Sequence, residues 1–138
     1  MNKTITSTTV LDNEFGTVWY HIEPKIIHHR FHKFAFGETF RQILNTGLAA
    51  MRENHATKWL SDDREYSAVI PEDVEWAEKV WFSKMLDTGW KYWAILMPEK
   101  GVGRMNLRKV IHLYNEQGVI VQIFSNYEAT IAWLEIQK

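Results

Sequence analysis

Two periods divide the chain. Thr4 to Leu11 is polar, rich in Thr and Val, and ends at Asp12-Asn13, which reads as an edge strand followed by a turn. Phe15 to Ile22 alternates, with Phe15, Thr17, Trp19 and His21 on one face and Gly16, Val18, Tyr20 and Ile22 on the other; bulk on both sides predicts a strand covered twice. Glu23-Pro24-Lys25 turns the chain, because proline cannot continue a central ladder, and Ile26 to Phe34 returns as the next strand. From Phe36 the period becomes helical: Phe36, Phe40, Ile43, Leu44, Gly47, Leu48 and Met51 form one stripe. Gly47 inside that helix costs about 1 kcal/mol against alanine, which implies a neighbouring ring or backbone that needs the space.

Beyond the first helix, strands and helices alternate. Ala56 to Leu60 reads as a strand and Ser61-Asp62-Asp63-Arg64 as the loop after it. Pro71 suits the first helical position, with Glu72 and Asp73 at the positive helix end and Val69 and Val74 placed for a hydrophobic staple. Val74, Ala77, Trp81 and Met85 form the expected inner stripe, broadened by Trp76 and Val80, and Asp87-Thr88-Gly89 ends it. Tyr92 to Met97 is a continuous apolar run, the pattern of a buried parallel strand. A third helix carries Leu107, Val110, Ile111 and Tyr114 inward, Val119 to Phe124 is the last strand, and Ser125 with Glu128 reads as the capping box of a final helix that buries Ile131 and Leu134. The order predicts an α/β fold spanning 1–138 as one domain, with a mixed sheet flanked by about four helices. Strands Ala56–Leu60, Tyr92–Met97 and Val119–Phe124 should be parallel neighbours, since one helix joins each to the next.

Composition narrows the function classes. Sixteen basic and seventeen acidic side chains give a formal charge of −1, which offers no general attraction to nucleic acid or anionic membrane. Without cysteine there is no disulfide, no thiol nucleophile and no Cys-ligated zinc. The first nine residues lack the apolar core of a signal peptide and no stretch is long enough to span a bilayer, so a soluble cytoplasmic location is expected. Seven Trp, five Tyr and seven Phe are read first as core.

Three polar groupings merit weighing. Asp62-Asp63 with Arg64, at a strand's end, could bind Mg²⁺ or accept phosphate, but Met97-Pro98 and Phe124-Ser125 stand where a receiver domain carries its other site residues; a solvated turn is the simpler reading. His28 and His29 point to opposite faces of a strand, and His28 and His32 lie roughly 13 Å apart, so they cannot share a metal. Gly101-Val102-Gly103-Arg104 lacks the rest of any phosphate-binding fingerprint. No cofactor or metal is expected. Parallel strands end together, so Asp62, Asp63, Arg64, Lys100, Arg104 and Asn126 form the candidate binding edge.

Several stretches resemble the SpoIIAA-like (STAS-related) family of small bacterial domains: Ala56 to Arg64, Pro71-Glu72-Asp73 with Trp76, Gly89 to Ala94, and Phe124 to Glu128 with Ala132-Trp133-Leu134. The resemblance implies a non-catalytic regulatory or protein-binding module with an unidentified protein partner or a homodimeric contact. Family antagonists of anti-sigma factors carry a phosphorylated serine near the start of the second helix; here Ile70-Pro71-Glu72-Asp73 occupies that region, with Ser67 displaced into the loop. Related folds include CRAL-TRIO lipid-exchange domains, which makes a carrier or sensor of a small apolar ligand the alternative, with Trp76, Trp81 and Phe82 as its face. A hydrolase or phosphoacceptor built on Asp62 and Asp63, with Arg104 assisting the hydrolase, is a third expectation. A deep lined cavity would favour the ligand, and a flat apolar patch a protein partner.

Overall fold

The computed structural model describes residues 6–65, 68–98 and 107–138, with only the backbone of 107–110. Strands β1 (Ser7–Asp12), β2 (Gly16–His21) and β3 (Ile26–Phe31) form an antiparallel meander, with β1 at the edge and a register shift between Thr9 and Leu11. Helix α1 (Gly37–Asn54) then crosses to β4 (Lys58–Asp62). Next come α2 (Pro71–Trp76), a π-helical turn (Ala77–Trp81) and α3 (Phe82–Asp87), which lead to β5 (Tyr92–Leu96). Helix α4 (Leu107–Glu116), β6 (Ile120–Phe124) and α5 (Tyr127–Ile136) complete the order. The sheet has six strands in chain order, and β3 to β6 are mutually parallel. The three predicted parallel neighbours are therefore neighbours, and β3 extends the parallel set.

Strand alternation sorts the core into two clusters. Ile27, Trp59, Ile95 and Val121 face α1, the α2–α3 segment and α4, and pack with Phe40, Ile43, Leu48, Trp81 and Met85. Ile26, Leu60, Ala94 and Leu96 face the other way and pack against Ile131 and Leu134 of α5. Strands in chain order with right-handed crossovers put every connecting helix on one face, leaving the opposite face to whatever follows the last strand. That element is α5.

Gly47 has the reason its position in the helix implies. A Cβ there would lie 2.1 Å from the six-membered ring of Trp59, which is fully buried against α1.

Three local expectations are corrected. β4 ends two residues later than its apolar run, so Ser61 and Asp62 belong to the strand and are buried. The π-helical turn inserts an extra residue and shifts the phase of the inner stripe. Trp81 and Met85 are buried, while Val74 and Val80 remain 40% and 39% exposed. The buried residue of the first turn is Asp73, which accepts from the Gly37 backbone N–H at 2.8 Å and faces Arg41 Nε at 3.5 Å, tying α2 to the start of α1. Finally, Asn126 rather than Ser125 caps α5, its side-chain oxygen accepting from Ala129 N–H at 2.9 Å.

Candidate functional site

At the ends of β3 and β4, chain neighbours of like chemistry point to opposite faces. His28 and Asp62 go to the face of α5; His29 and Asp63 go to the face of α1 and α2. The Asp63 N–H donates to Leu96 O at 2.7 Å, so the ladder continues and the two carboxylates diverge as strand residues do. The Asp62-Asp63 pair therefore cannot clasp one ion or one phosphoryl group.

On the helix-covered face lies a cavity of about 200 Å³, walled by Phe31, Phe40, Leu44, Trp59, Trp81 and Val74. Its floor carries three polar side chains from adjacent strand positions: His29, its direct partner Ser61, and Asp63. Their hydrogen-bonding directions follow from two indoles, which can only donate. Trp59 Nε1–H donates to His29 Nδ1 at 2.9 Å. Burial holds His29 uncharged, with its pKa lowered to about 3, so the ring proton sits on Nε2. That N–H faces Asp63 Oδ1 at 3.9 Å, a gap too long for a direct bond. Trp93 Nε1–H donates to Ser61 Oγ at 2.8 Å, which leaves the serine proton free to be donated. Desolvation, aided by the adjacent Asp62 charge, pushes Asp63 up to about 7. Tyr114, also at the cavity, is raised to about 12 by burial and then by Glu78, so its hydroxyl stays protonated. Ala77, Glu78 and Trp81 of the π-helical turn line the same cavity. Such turns occur frequently at functional sites because the extra residue re-aims side chains.

The opposite face carries a second polar arrangement, beside an open cavity of about 400 Å³. Ser7 Oγ lies 2.5 Å from His21 Nδ1, His21 Nε2 lies 3.0 Å from His28 Nδ1, and His28 Nε2 lies 3.4 Å from Asp62 Oδ2. Arg64 closes the chain with Nε and a terminal nitrogen 2.8 and 2.7 Å from the two Asp62 oxygens. Asp62 is wholly buried, yet the bonds from Arg64 and His28 outweigh desolvation and hold its pKa well below the usual carboxylate range. Arg64 also lies over the Tyr127 ring, 5.5 Å from its centroid. Arg30 shares this face and pairs with Glu65.

The candidate edge is thus divided. Asp63 joins the apolar pocket, Asp62 and Arg64 join the opposite face, and Asn126 is occupied as a cap. Lys100 and Arg104, like Ser67, lie outside the described residues. Of the aromatic candidates, Trp81 walls the pocket and donates its indole N–H to Leu44 O at 2.9 Å. Trp76 instead packs on Phe40 and Arg41, and Phe82 on Trp90 and Tyr114. His29 and Ser61 in the pocket, and Ser7, His21 and His28 opposite, are not identified by sequence reasoning. Pairing β2 with β3 about the Glu23-Pro24-Lys25 turn is the signal that brings His21 to His28. Among the described residues, no group of three or more His, Asp or Glu is placed to hold a metal ion, and no helix is long and apolar enough to cross a membrane. No protein-family model matches the chain, and none of the curated proteins or solved structures matches it.

Proposed function

We propose that this chain is a STAS-like binding domain, without catalysis at this pocket, that carries or senses a compact and largely apolar ligand beneath α2. The observation that carries the reading is a lined apolar cavity into which three strand residues, His29, Ser61 and Asp63, converge as oriented hydrogen-bonding partners. Such a pocket takes an apolar body and fixes one polar head. His29 Nε2–H and Ser61 Oγ–H both donate, so the head presents an acceptor to them, and Asp63 accepts or donates according to pH. The cavity's 200 Å³ lies below the roughly 300–1,000 Å³ of drug-sized sites, which favours a small ring or short chain over a long lipid. Parallel strands in chain order with helical crossovers support the STAS-like part of the reading.

A protein partner is the second reading, favoured by Phe34 and Phe36, which are both exposed and stacked on each other with centroids 5.8 Å apart at the start of α1. In that case ligand occupancy would govern a contact made beside the pocket.

Native mass spectrometry of the protein from its own host, followed by titration with indole, simple phenols and medium-chain carboxylic acids, tests the proposal. The expected result is a bound small molecule, or a saturable rise in Tm with one of these classes, weakened about threefold to tenfold by Ser61→Ala, the loss of one hydrogen bond. A Leu44→Trp substitution, which fills the cavity, should abolish it. No adduct and no shift with any class would overturn the proposal.

A further inference from the structure

Away from that pocket, the register aligns one polar side chain from each of four consecutive strands. Ser7 stands directly opposite His21 across β1 and β2. His28 is diagonal to His21 across β2 and β3, since His21 pairs with Ile26, and Asp62 is diagonal to His28 across β3 and β4, since Leu60 pairs with His28. Diagonal neighbours on one sheet face are within reach of long side chains, so the row forms without distorting any strand.

The polarity of this row is determined from its buried end. Arg64 can only donate and makes both of its bonds to Asp62, so the carboxylate is ionised and accepts from His28 Nε2–H. Burial keeps His28 uncharged, so its Nδ1 is bare and accepts from His21 Nε2–H. His21 is uncharged in turn, and its bare Nδ1 accepts the Ser7 hydroxyl proton. Every link donates in one direction, from an exposed serine to a buried carboxylate. That is the arrangement of a nucleophile, its base and the groups that orient the base, with a second imidazole interposed.

We infer that Ser7 is a nucleophile that accepts an acyl group from an activated ester, with His21 as general base and His28 and Asp62 as positioning residues. Ser7 Oγ attacks the carbonyl carbon while its proton passes to His21 Nδ1. The tetrahedral oxyanion forms in the open cavity that Ser7 and His21 line. Collapse breaks the ester C–O bond, the proton passes from His21 to the departing oxygen, and the products are an alcohol and O-acyl-Ser7. Water attacking the acyl-serine by the same route, with His21 taking and returning the proton, releases the carboxylic acid and restores the hydroxyl. Trp19 and Tyr127 flank the cavity and suit an aromatic leaving group. This site is independent of the apolar pocket, and either can fail without the other.

The test is acylation by 4-nitrophenyl acetate, followed as nitrophenolate release and located by peptide mass mapping. The charged and titratable groups that share this face with His21 are His28 and Arg30 of β3, Lys58 and Asp62 of β4 with Arg64 beyond it, Tyr92 of β5, and Tyr127 and Glu135 of α5; Asp12 of β1 is bonded to Thr17. Burial, and then the neighbouring His28, lower His21 to about 4. A reaction that uses its neutral form should therefore rise through about pH 4 and level off through neutrality. The mass gain should fall on Ser7, vanish in Ser7→Ala, and slow by about 100-fold in His21→Gln, with folding checked by circular dichroism. A rate that climbs tenfold per pH unit through neutrality would mark Ser7 as an ordinary surface hydroxyl and overturn the inference, as would acylation confined to other residues. The profile is measured on the unaltered chain, so the result stands even if a variant fails to fold.

Discussion

The two faces of the sheet give adjacent, chemically similar residues opposite fates. On the face roofed by α1, α2 and α4, Asp63 sits at the floor of an apolar cavity, and burial, aided by the neighbouring Asp62 charge, raises its pKa to about 7. One residue earlier, on the face of α5, Asp62 is more deeply buried, and its pKa moves the other way. Burial alone does not decide the direction; the Arg64 fork on Asp62 does. The histidines differ more subtly, since burial lowers the pKa of both His28 and His29, but His28 is a link in a polar row and His29 is a single donor facing Asp63 across the floor of the apolar cavity. One face is built around packing and an enclosed volume, the other around a directed polar chain.

The largest expected effect tests that division. Trp59 is wholly buried between β4 and Gly47, so Trp59→Ala should cost about 3–5 kcal/mol. Trp19, on the open face and only partly buried, should cost about 1–2 kcal/mol when cut to alanine. Urea unfolding gives both values. Equal costs would mean that the open face is packed as tightly as the roofed one.

Gly47→Ala sharpens the same point. Alanine favours a helix by about 1 kcal/mol, yet its Cβ would overlap the Trp59 ring, and overpacking typically costs about 1–3 kcal/mol. A net loss of about 1 kcal/mol is expected. The smaller ring of Trp59→Phe should recover part of it, and a double-mutant cycle measures the coupling. Additive effects would show that the ring and the glycine do not share space.

The two carboxylates supply the third comparison. Asp62→Asn removes the anion that satisfies half-exposed Arg64 and accepts from His28, and should cost about 2 kcal/mol near neutral pH. Asp63→Asn should instead stabilise the protein above about pH 7, because it removes a charge the cavity disfavours. The signs follow from linkage. A carboxyl raised in the folded state stabilises at low pH, and that contribution is lost as pH rises from the ordinary value of 3.8 through about 7. A carboxyl lowered in the folded state stabilises above its ordinary pKa and loses that contribution as pH falls through the acid range. His21 and His29, lowered from 6.5 to about 4 and about 3, make stability rise with pH up to about 6.5. Between about pH 4 and 6.5 the histidines raise stability while Asp63 lowers it, so the unaltered protein should gain stability less steeply than Asp63→Asn over that range, and both curves should level off by about pH 8 with the variant the higher. Urea midpoints at about pH 5, 6.5 and 8 distinguish the two curves. Parallel curves from about pH 5 to 8 would show that Asp63 does not titrate in this range.

Much of this fold is legible in the chain because its signals are local. Period two through Phe15–Ile22, the stripe from Phe40 to Met51 and the apolar run Tyr92–Met97 each report one element, and the crossovers dictate parallel pairing. The site is less legible because its signals are not local. Ser61-Asp62 reads as a loop, since polar residues after an apolar run normally end a strand; the partners that permit their burial, Trp93, His28 and Arg64, come from β5, from β3 and from beyond β4 itself. His28 looks unproductive when weighed only against His29 and His32, its neighbours in sequence. Its partner is His21, on the far side of a turn, and only the register shows it. The π-helical turn has no composition of its own, so the pocket wall it forms cannot be anticipated from the stripe it displaces.

The smallest expected effect concerns α5, which packs on the open face. Asn126 caps α5, and the next residue, Tyr127, lies beneath Arg64 and 6.0 Å from the His28 ring. Removing an N-cap side chain typically costs about 1 kcal/mol, because a helix-end N–H loses its acceptor, so Asn126→Ala should lower stability by about that amount. Ser125→Ala should cost a few tenths at most, since Ala129 N–H bonds to Asn126 and not to Ser125. The loss should be uneven in space. Fraying the first turn of α5 loosens Tyr127 and, through it, the Arg64 end of the polar row, while the apolar cavity on the other face is untouched. Amide exchange in Asn126→Ala should therefore quicken in α5 and leave α1 and the Trp59 region unchanged beyond the global shift. Equal acceleration in α1 would show that the two faces open as one unit, and the contrast drawn between them would then be one of chemistry alone.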